Sequence, residues 1–222
     1  MSPRVALSWS GGKDSALALL ALRQDPGMDV ACLVTSVTTE YDRVSVHGVR
    51  RSLLREQANR LGLPLFEVPL PSSCTNAAYE AAFLDGLREM RRSVPDVAAV
   101  AFGDLFLEDV RAYRERLLAR SGFAPLFPVW GRDTALLSRE FVRGGFAARV
   151  VCVDCTLLDP SFAGRAYDAS LLADLPPDVD PCGERGEFHT FVSEGPGFSA
   201  PVAYRVGTTV MREGRFMFCD LE

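Results

Sequence analysis

The feature that most constrains the fold of this chain is the sequence of patterns near its N terminus. Residues 5–7 form an apolar run that predicts a buried strand, and apolar residues recur with helical spacing over 16–22. Between them, Gly11 and Gly12 allow a tight turn. A strand, a glycine turn and a helix N terminus form a site where N–H groups and the helix dipole attract an anion. The pattern therefore predicts a phosphate-binding loop.

The polar side chains of this loop fit the same interpretation. Lys13 adds a positive charge at the helix start, and Ser10 and Ser15 add hydroxyl donors. Asp14 suits the first turn of a helix as a capping residue, and contact with Mg²⁺ or a ribose is an equal alternative. The residues expected to bind the nucleotide here are Ser8, Ser10, Gly11, Gly12, Lys13, Asp14 and Ser15.

This loop differs from the common P-loop, which requires Gly, four residues and then Gly-Lys-Ser/Thr. Leu7 stands where the first of those glycines belongs, and Asp14 follows the lysine. The segment Ser-Gly-Gly-Lys-Asp-Ser instead resembles the PP-loop of the ATP pyrophosphatases. That resemblance implies that ATP is cleaved between its α- and β-phosphates, that AMP is attached to a substrate and that pyrophosphate is released.

Strand-like and helix-like segments alternate through the first two-thirds of the chain. We expect strands over 5–8, 30–37, 65–68, 97–102, 125–129 and 148–153, and helices over 15–23, 48–61, 76–92, 108–121 and 134–143. This alternation predicts an α/β fold with a Rossmann-like parallel sheet and helices on both faces. Ligands of such sheets bind at the carboxyl ends of the strands, where the loops after residues 7, 37, 102 and 129 are expected to converge.

The pattern changes after Asp154. A short helix over 168–174 is followed by strand patterns over 187–193, 202–211 and 216–219. We therefore expect a smaller, strand-rich C-terminal part that binds the substrate, residues 155–222, beside an ATP-binding domain, residues 1–154.

Composition excludes several classes of protein. The net charge is −5, and nucleic-acid-binding proteins usually carry a basic surplus, so a nucleic acid substrate is not expected. No apolar run reaches the length of a membrane span. Six cysteines without a secretion signal predict reduced thiols in the cytoplasm. Cys152 and Cys155 have the spacing of redox and metal pairs, but no second pair is visible, and we interpret them as inert.

A second dense cluster occupies residues 180–191. Three carboxylates, two glycines and a histidine fall within ten consecutive residues of this segment. If a strand begins at Glu187, then Glu187, His189 and Phe191 share one face, which either lines a pocket or is exposed to solvent. The glycines before the strand would bring Glu184 alongside.

A PP-loop followed by Asp-Pro-Cys-Gly-Glu-x-Gly-Glu-Phe-His-Thr-Phe resembles the diphthine–ammonia ligase family. Segments 46–50, 102–109, 127–132 and 195–198 also fit, so the resemblance covers essentially the whole chain. It implies a fold like the adenine-nucleotide α-hydrolases and an ATP-dependent amidation, in which a carboxylate is adenylated and ammonia displaces AMP. The substrate of that family is diphthine, a modified histidine on elongation factor 2. Arg185 departs from the pattern, since we expect Asn there.

The two clusters together supply the expected roles. The residues expected to be catalytic are Lys13, Glu187 and His189. His189 is expected to act as a general base, so the activity of the enzyme should fall as the pH drops through the pKa of this histidine, ~6.5. Asp104, at a strand end, and His47 are expected to contact ATP, although His47 could be a plain loop histidine. The expected substrate-binding residues are Gly183, Glu184, Gly186, Glu187, His189, Thr190 and Trp130.

Other candidates keep alternatives open. Trp130 could pack instead of binding substrate, and Arg111 and Arg114 could form a solvated helix face. ATP and Mg²⁺ are the expected cofactors, with Asp14 the candidate metal ligand. The expected partners are free ammonium and a carboxylate acceptor, either protein-borne diphthine or a small molecule; a homodimer stays open. The alternatives are a PP-loop enzyme that modifies tRNA and a non-catalytic ATP-binding sensor.

Overall fold

The computed structural model describes residues 3–45 and 47–222, so Val46 of the motif quoted above lies outside the described residues. Strands and helices alternate as the sequence predicts. Their bounds are β1 (Arg4–Ser8), α1 (Lys13–Gln24), β2 (Asp29–Thr38), β3 (Arg43–Val44), α2 (Arg51–Leu61), β4 (Leu65–Leu70), α3 (Asn76–Ser93), β5 (Val97–Ala101), α4 (Glu108–Leu118), β6 (Ala124–Leu126) and α5 (Thr134–Arg143). Apart from β3, each was expected from hydrophobic periodicity.

The first sheet confirms the predicted α/β class. Its parallel strands lie in the order β4-β2-β1-β5-β6, and β3 pairs antiparallel with the last residues of β2. The chain therefore moves outward from β1 in one direction and returns to its other side at β5. Such a reversal leaves a crevice at the carboxyl ends of the strands, which is the usual ligand site of open α/β sheets.

The second sheet is antiparallel, with the strand order β8-β7-β10-β9. It contains β7 (Ala147–Asp154), β8 (Phe188–Glu194), β9 (Val206–Arg212) and β10 (Phe216–Leu221), and a short helix α6 (Ala169–Asp174) precedes β8. The expectation that β7 extends the parallel sheet is wrong, because β7 pairs with β8 and β10 instead. A buried apolar strand shows the same sequence pattern in a parallel and in an antiparallel sheet, because its own residues do not encode the direction of its neighbours. The division of the chain after residue 154 stays a prediction.

Gln57 joins the two sheets through buried hydrogen bonds. Its side chain has no exposed surface. It accepts from Nε1 of Trp9 at 2.9 Å, and its amide nitrogen donates to the carbonyl oxygens of Gly11 at 3.0 Å and Val192 at 2.6 Å. The N–H of Val192 also donates to the Gly11 carbonyl, at 2.9 Å. The glycine loop, residues 8–15, is therefore held against β8. One apolar core contains residues of both sheets.

The helices differ at their N termini, since α3, α5 and α6 have a side-chain cap and α1, α2 and α4 have none. Thr75 and Asp133 cap α3 and α5 by accepting hydrogen bonds from backbone N–H groups three residues later. At α1 the capping position is Gly12, which has no side chain to cap with, and the N–H of Lys13 donates to Oγ1 of Thr190 on β8 at 3.0 Å.

None of the helices among the described residues combines the length and the apolar character needed to cross a membrane.

Candidate nucleotide-binding site

A cavity of about 340 Å³ lies at the carboxyl ends of the parallel strands. Residues 8–10 and 13–15 of the glycine loop form one side of it, and residues 183–184 of the turn before β8 form another side together with residues 188–190 of β8. The lining also includes residues 35–36 near the end of β2, residues 102–104 after β5, and side chains from the β3 region, α3 and α4. The cavity therefore brings together the two clusters that the sequence singled out.

Close backbone packing explains the glycines around this cavity. Gly11 has φ +80°, and a Cβ there would lie 2.7 Å from Oε1 of Gln57. A Cβ on Gly103, after β5, would lie 2.8 Å from the carbonyl carbon of Asp14. Any side chain at either position would push the loop away from its neighbours.

Lys13 is buried but charged. Only 2% of the residue is exposed, and Nζ donates to Oδ2 of Asp14 at 2.9 Å. The Nζ atom also stands 5.4 Å from the centroid of the Phe188 ring. Burial opposes the charged form, but the negative charges of Asp14 and Asp180 outweigh it and raise the pKa of Lys13. The loop thus presents a positive charge at the start of α1.

Unpaired polar atoms surround the cavity. Within the described part of the chain, five buried side-chain atoms of cavity-lining residues have no hydrogen-bond partner. They are Oδ1 of Asp14, Oγ1 of Thr35, Nδ1 of His47, Oδ2 of Asp104 and Nε of Arg114, the last two forming an ion pair with each other at 3.6 Å, beyond hydrogen-bond distance. Because unpaired buried polar groups are costly and rare in native proteins, this concentration indicates a site for a polar ligand.

The two histidines of the chain stack in the cavity wall. Their ring centroids are 4.5 Å apart, with 34° between the planes. Burial, with the charge of Lys13, lowers the pKa of His47 to about 4. Burial, the neighbouring His47 and Lys13 hold the pKa of His189 well below its usual value. The expectation that His189 titrates near pH ~6.5 is therefore wrong, and both rings are neutral at neutral pH.

Glu184 reaches into the cavity and is held by the chain after β5. Its Oε1 accepts from the N–H of Leu105 at 2.7 Å and, more weakly, from that of Phe106 at 3.4 Å. Burial raises the pKa of Glu184 to about 7, with the charges of Asp14 and Asp104 acting in the same direction and the two hydrogen bonds opposing them. This carboxyl group can therefore exchange a proton near neutral pH.

Glu187 lies behind the cavity instead of lining it. It is 3% exposed, and its two oxygens accept from the N–H groups of Asp180 at 3.0 Å and Arg185 at 2.9 Å. The strand β8 begins at Phe188, so Glu187 is not part of it and does not share a strand face with His189 as the alternation predicted. These bonds close the turn that carries Glu184.

Gly186 and Trp130 also lie outside the cavity lining. Gly186, at φ +89°, shapes the turn before β8. The strand β6 ends at Leu126, short of the predicted Val129, and Trp130 packs edge-on against Phe127 and beneath the guanidinium of Arg111. Gly11 and Gly12 belong to the loop but are not among the lining residues. The other expected residues, which do line the cavity, are Ser8, Ser10, Lys13, Asp14, Ser15, His47, Asp104, Gly183, Glu184, His189 and Thr190.

Sequence reasoning missed lining residues on β2, α3 and α4. Thr35 is 3% exposed and near the end of β2, and Tyr79 and Arg114 come from α3 and α4. Polar residues near the end of a buried strand were a usable signal for Thr35. Nothing in the local pattern separated Arg114 from the solvated arginines of the same helix.

The cysteines add no second site among the described residues. All six are free thiols, and burial raises the pKa of Cys152 to about 12. The described residues contain no group of three or more side chains arranged to hold a metal ion. The inert interpretation of the cysteine pair stays a prediction.

Comparison with known proteins gives two family matches. The model of the diphthamide synthase N-terminal domain matches residues 3–125, and that of the diphthamide synthase C-terminal domain matches residues 133–211.

Individual relatives were also found. A protein of Danio rerio named diphthine–ammonia ligase is 26% identical, over 91% of this chain and 86% of the relative. One of the same name from Schizosaccharomyces pombe is 25% identical, over 85% of this chain and 34% of the relative. A solved structure from Methanocaldococcus jannaschii, described as a predicted subunit of a tRNA methyltransferase, has a TM-score of 0.45 and 18% identity, covering 87% of this chain and 98% of that chain.

Proposed function

This chain belongs to the diphthamide synthase family, and on that premise we propose that it is an ATP-dependent ligase that joins ammonia to a carboxylate. The resemblance noted from the sequence is thereby confirmed at the level of the family. The observation that carries the proposal is the cavity, where a charged buried lysine at a helix N terminus faces unpaired polar atoms and a carboxyl group with a pKa near 7.

The glycine loop is the proposed phosphate site. The positive end of α1 and the charge of Lys13 both favour an anion there, and Ser10 and Ser15 supply hydroxyl donors. We place the rest of the nucleotide against His47, whose unpaired Nδ1 lines the same cavity, and Asp104 beside the phosphates. Gly11 and Gly12 contribute by letting the loop close up against Gln57 and β8.

The proposed reaction has two steps. A carboxylate oxygen of the acceptor attacks the α-phosphorus of ATP, the bond to the bridging oxygen breaks, and pyrophosphate leaves. Ammonia then attacks the acyl carbon, AMP leaves with the electron pair of the broken C–O bond, and the nitrogen releases a proton to solvent to give the amide. Lys13 stabilises charge on the phosphoryl oxygens in the first step.

Ammonium must lose a proton before its nitrogen can attack. Glu184 is suited to accept that proton because its pKa is near 7 and its carboxyl group lies in the cavity. His189, neutral at this pH, can accept a hydrogen bond that orients ammonia. Glu187 acts as a positioning residue through the turn that it closes.

Mg²⁺ fits the carboxylates of this cavity. Among the residues that the structure describes, Oδ1 of Asp14 is buried without a hydrogen-bond partner, and Oδ2 of Asp104 has only the long ion pair with Arg114 at 3.6 Å. Mg²⁺ is commonly held by one or two carboxylates together with substrate phosphates. When bound, the ion would neutralise charge on the phosphates. We propose Asp14 and Asp104 as its protein ligands.

The acceptor is proposed to be diphthine-like, following the names of the relatives, and protein-borne. A second cavity of about 760 Å³ shares Val44 with the first and is lined by Thr38, Tyr41 and Arg212 among others. Its size and position support an approach of the acceptor from that side. A cytoplasmic location and free ammonium as the nitrogen source belong to the same proposal.

The test measures pyrophosphate release and amide formation together. Purified protein is incubated with Mg·ATP, ¹⁵N-ammonium and elongation factor 2 carrying diphthine, and the modified peptide is analysed by mass spectrometry. We expect pyrophosphate, AMP and a ¹⁵N-amide in equal amounts. ATP binding without turnover would favour the sensor, and turnover that requires tRNA instead of the carboxylate would favour the tRNA-modifying enzyme.

A further inference from the structure

Arg114 occupies an unusual position for an arginine on a surface helix. It lies on α4, with 22% of its side chain exposed, and its Nε is buried without a hydrogen-bond partner. Arg111, one turn earlier, pairs instead with Glu115 at 2.8 Å and has 39% of its side chain exposed. Arg111 and Arg114 therefore face different surroundings, and Arg114 alone among the three arginines of α4 lines the cavity.

Three neighbours hold the guanidinium of Arg114. Nη1 donates to the hydroxyl oxygen of Tyr79 at 3.2 Å, and the group stands 4.8 Å from the centroid of the Phe102 ring. Nε lies 3.6 Å from Oδ2 of Asp104, which is an ion pair but too long for a hydrogen bond. The group is thus oriented while part of its donor capacity stays unfilled.

Arg114 is one of two cations lining the described part of the cavity that keep donors unfilled. Lys13 and Arg114 are the two cationic side chains among the described residues that line it, and Nζ of Lys13 already donates to Asp14. The helix α1 packs into one apolar core, and α3 and α4 pack into the other, on the opposite face of the parallel sheet. Lys13 and Arg114 therefore reach the cavity from opposite sides.

We propose that Arg114 binds a phosphoryl oxygen of ATP from the side opposite Lys13, and that Tyr79 positions its guanidinium. A planar guanidinium offers parallel donors that match the oxygens of a phosphate, which an ammonium cannot do. The inference rests on the ATP-binding part of the proposed function and adds a residue that the loop motif does not contain.

The test compares Arg114→Gln with Arg111→Gln, a matched change on the same helix. Binding of Mg·ATP and of adenosine is measured by calorimetry on the intact protein, after circular dichroism has shown that each variant folds. We expect Arg114→Gln to weaken ATP binding at least tenfold, to leave adenosine binding unchanged, and Arg111→Gln to match the parent. Tyr79→Phe is expected to weaken ATP binding severalfold because the guanidinium loses its anchor.

Parental ATP affinity in a folded Arg114→Gln variant would overturn the inference, and so would an equal loss for ATP and adenosine. If Arg114→Gln does not fold, ATP binding is measured in Arg114→Lys and Tyr79→Phe instead. Unchanged ATP affinity in both of these variants would overturn the inference. A parent protein that binds no ATP defeats the proposed function itself. A parent that binds ATP, beside an Arg114→Gln variant that binds it equally well, defeats only the role of Arg114.

Discussion

At the scale of single residues, Lys13 has the clearest assignment. Its burial beside Asp14 keeps it charged, and the glycine loop directs it toward the cavity. We predict that Lys13→Ala weakens ATP binding by about 1.5–3 kcal/mol, the value of a hydrogen bond to a charged group, and abolishes pyrophosphate release. Calorimetry and a pyrophosphate assay measure the two effects. Arg92→Ala, a change at an exposed side chain, serves as the control, and equal behaviour of the two variants would contradict the assignment.

Glu184 makes a separate prediction about pH. If its ionised form accepts the proton of ammonium, turnover at saturating substrates rises with pH through about 7, the pKa of this carboxyl group. We expect Glu184→Gln to reduce turnover and to remove that limb of the profile, while ATP affinity changes little. The exposed Glu108→Gln is the control. A limb that persists unchanged in Glu184→Gln would assign the proton transfer to another group.

At the scale of elements, capping and periodicity decided what the sequence could predict. The helix α5 has the expected bounds because Asp133 caps it and an apolar face follows with regular spacing. The direction of β7 was not predictable, because pairing is chosen by neighbours far away in sequence. Arg114 and Tyr79 meet at the cavity for the same reason, since α3 and α4 are brought together only by the order of strands in the sheet.

The contact between α2 and β8 leads to a prediction about stability. Replacing Gln57 by Leu leaves the indole N–H of Trp9 and the carbonyl oxygen of Val192 without their buried partner. We expect the free energy of unfolding to fall by about 1–3 kcal/mol, measured by urea denaturation. Gln24→Leu, at the exposed end of α1, is the matched control and should change it by no more than about 0.5 kcal/mol. Equal stability of the two variants would show that the junction contributes little.

At the scale of the whole molecule, the stacked histidines make stability depend on pH. The pKa of His47 is about 4 in the folded protein, and that of His189 is also depressed, whereas both are about 6.5 in an unfolded chain. The unfolded state therefore binds more protons below pH 6.5, so this contribution to stability is complete above that pH and is lost as the pH falls toward 4. Glu184 acts in the opposite sense, because its raised pKa favours the folded state as the pH falls from about 7.

We predict that the free energy of unfolding decreases between pH 7 and pH 5 in the parent, since the two histidines outweigh the carboxyl groups of the cavity. In a variant with His47→Gln and His189→Gln, the decrease should vanish or reverse, because Glu184, Asp14 and Asp104, whose pKa values burial raises, remain. Urea denaturation at pH 7, 6 and 5 measures both. A parallel decline in parent and variant would contradict the role of the histidine pair.

The attachment of the glycine loop to β8 has a consequence for how such chains can diversify. On β8, three of its hydrogen bonds use only main-chain atoms of Val192 or pass through Gln57 of α2 to the main chain of Gly11 and Val192, and every amino acid at position 192 except proline supplies those atoms. Within β8, only Thr190 contributes a side chain to the attachment. The C-terminal sheet can therefore accept many substitutions without releasing the loop, provided that β8 keeps its register. A nucleotide site of this construction can be combined with varied acceptor-binding surfaces, so the recognition of new acceptors can evolve while ATP binding is preserved.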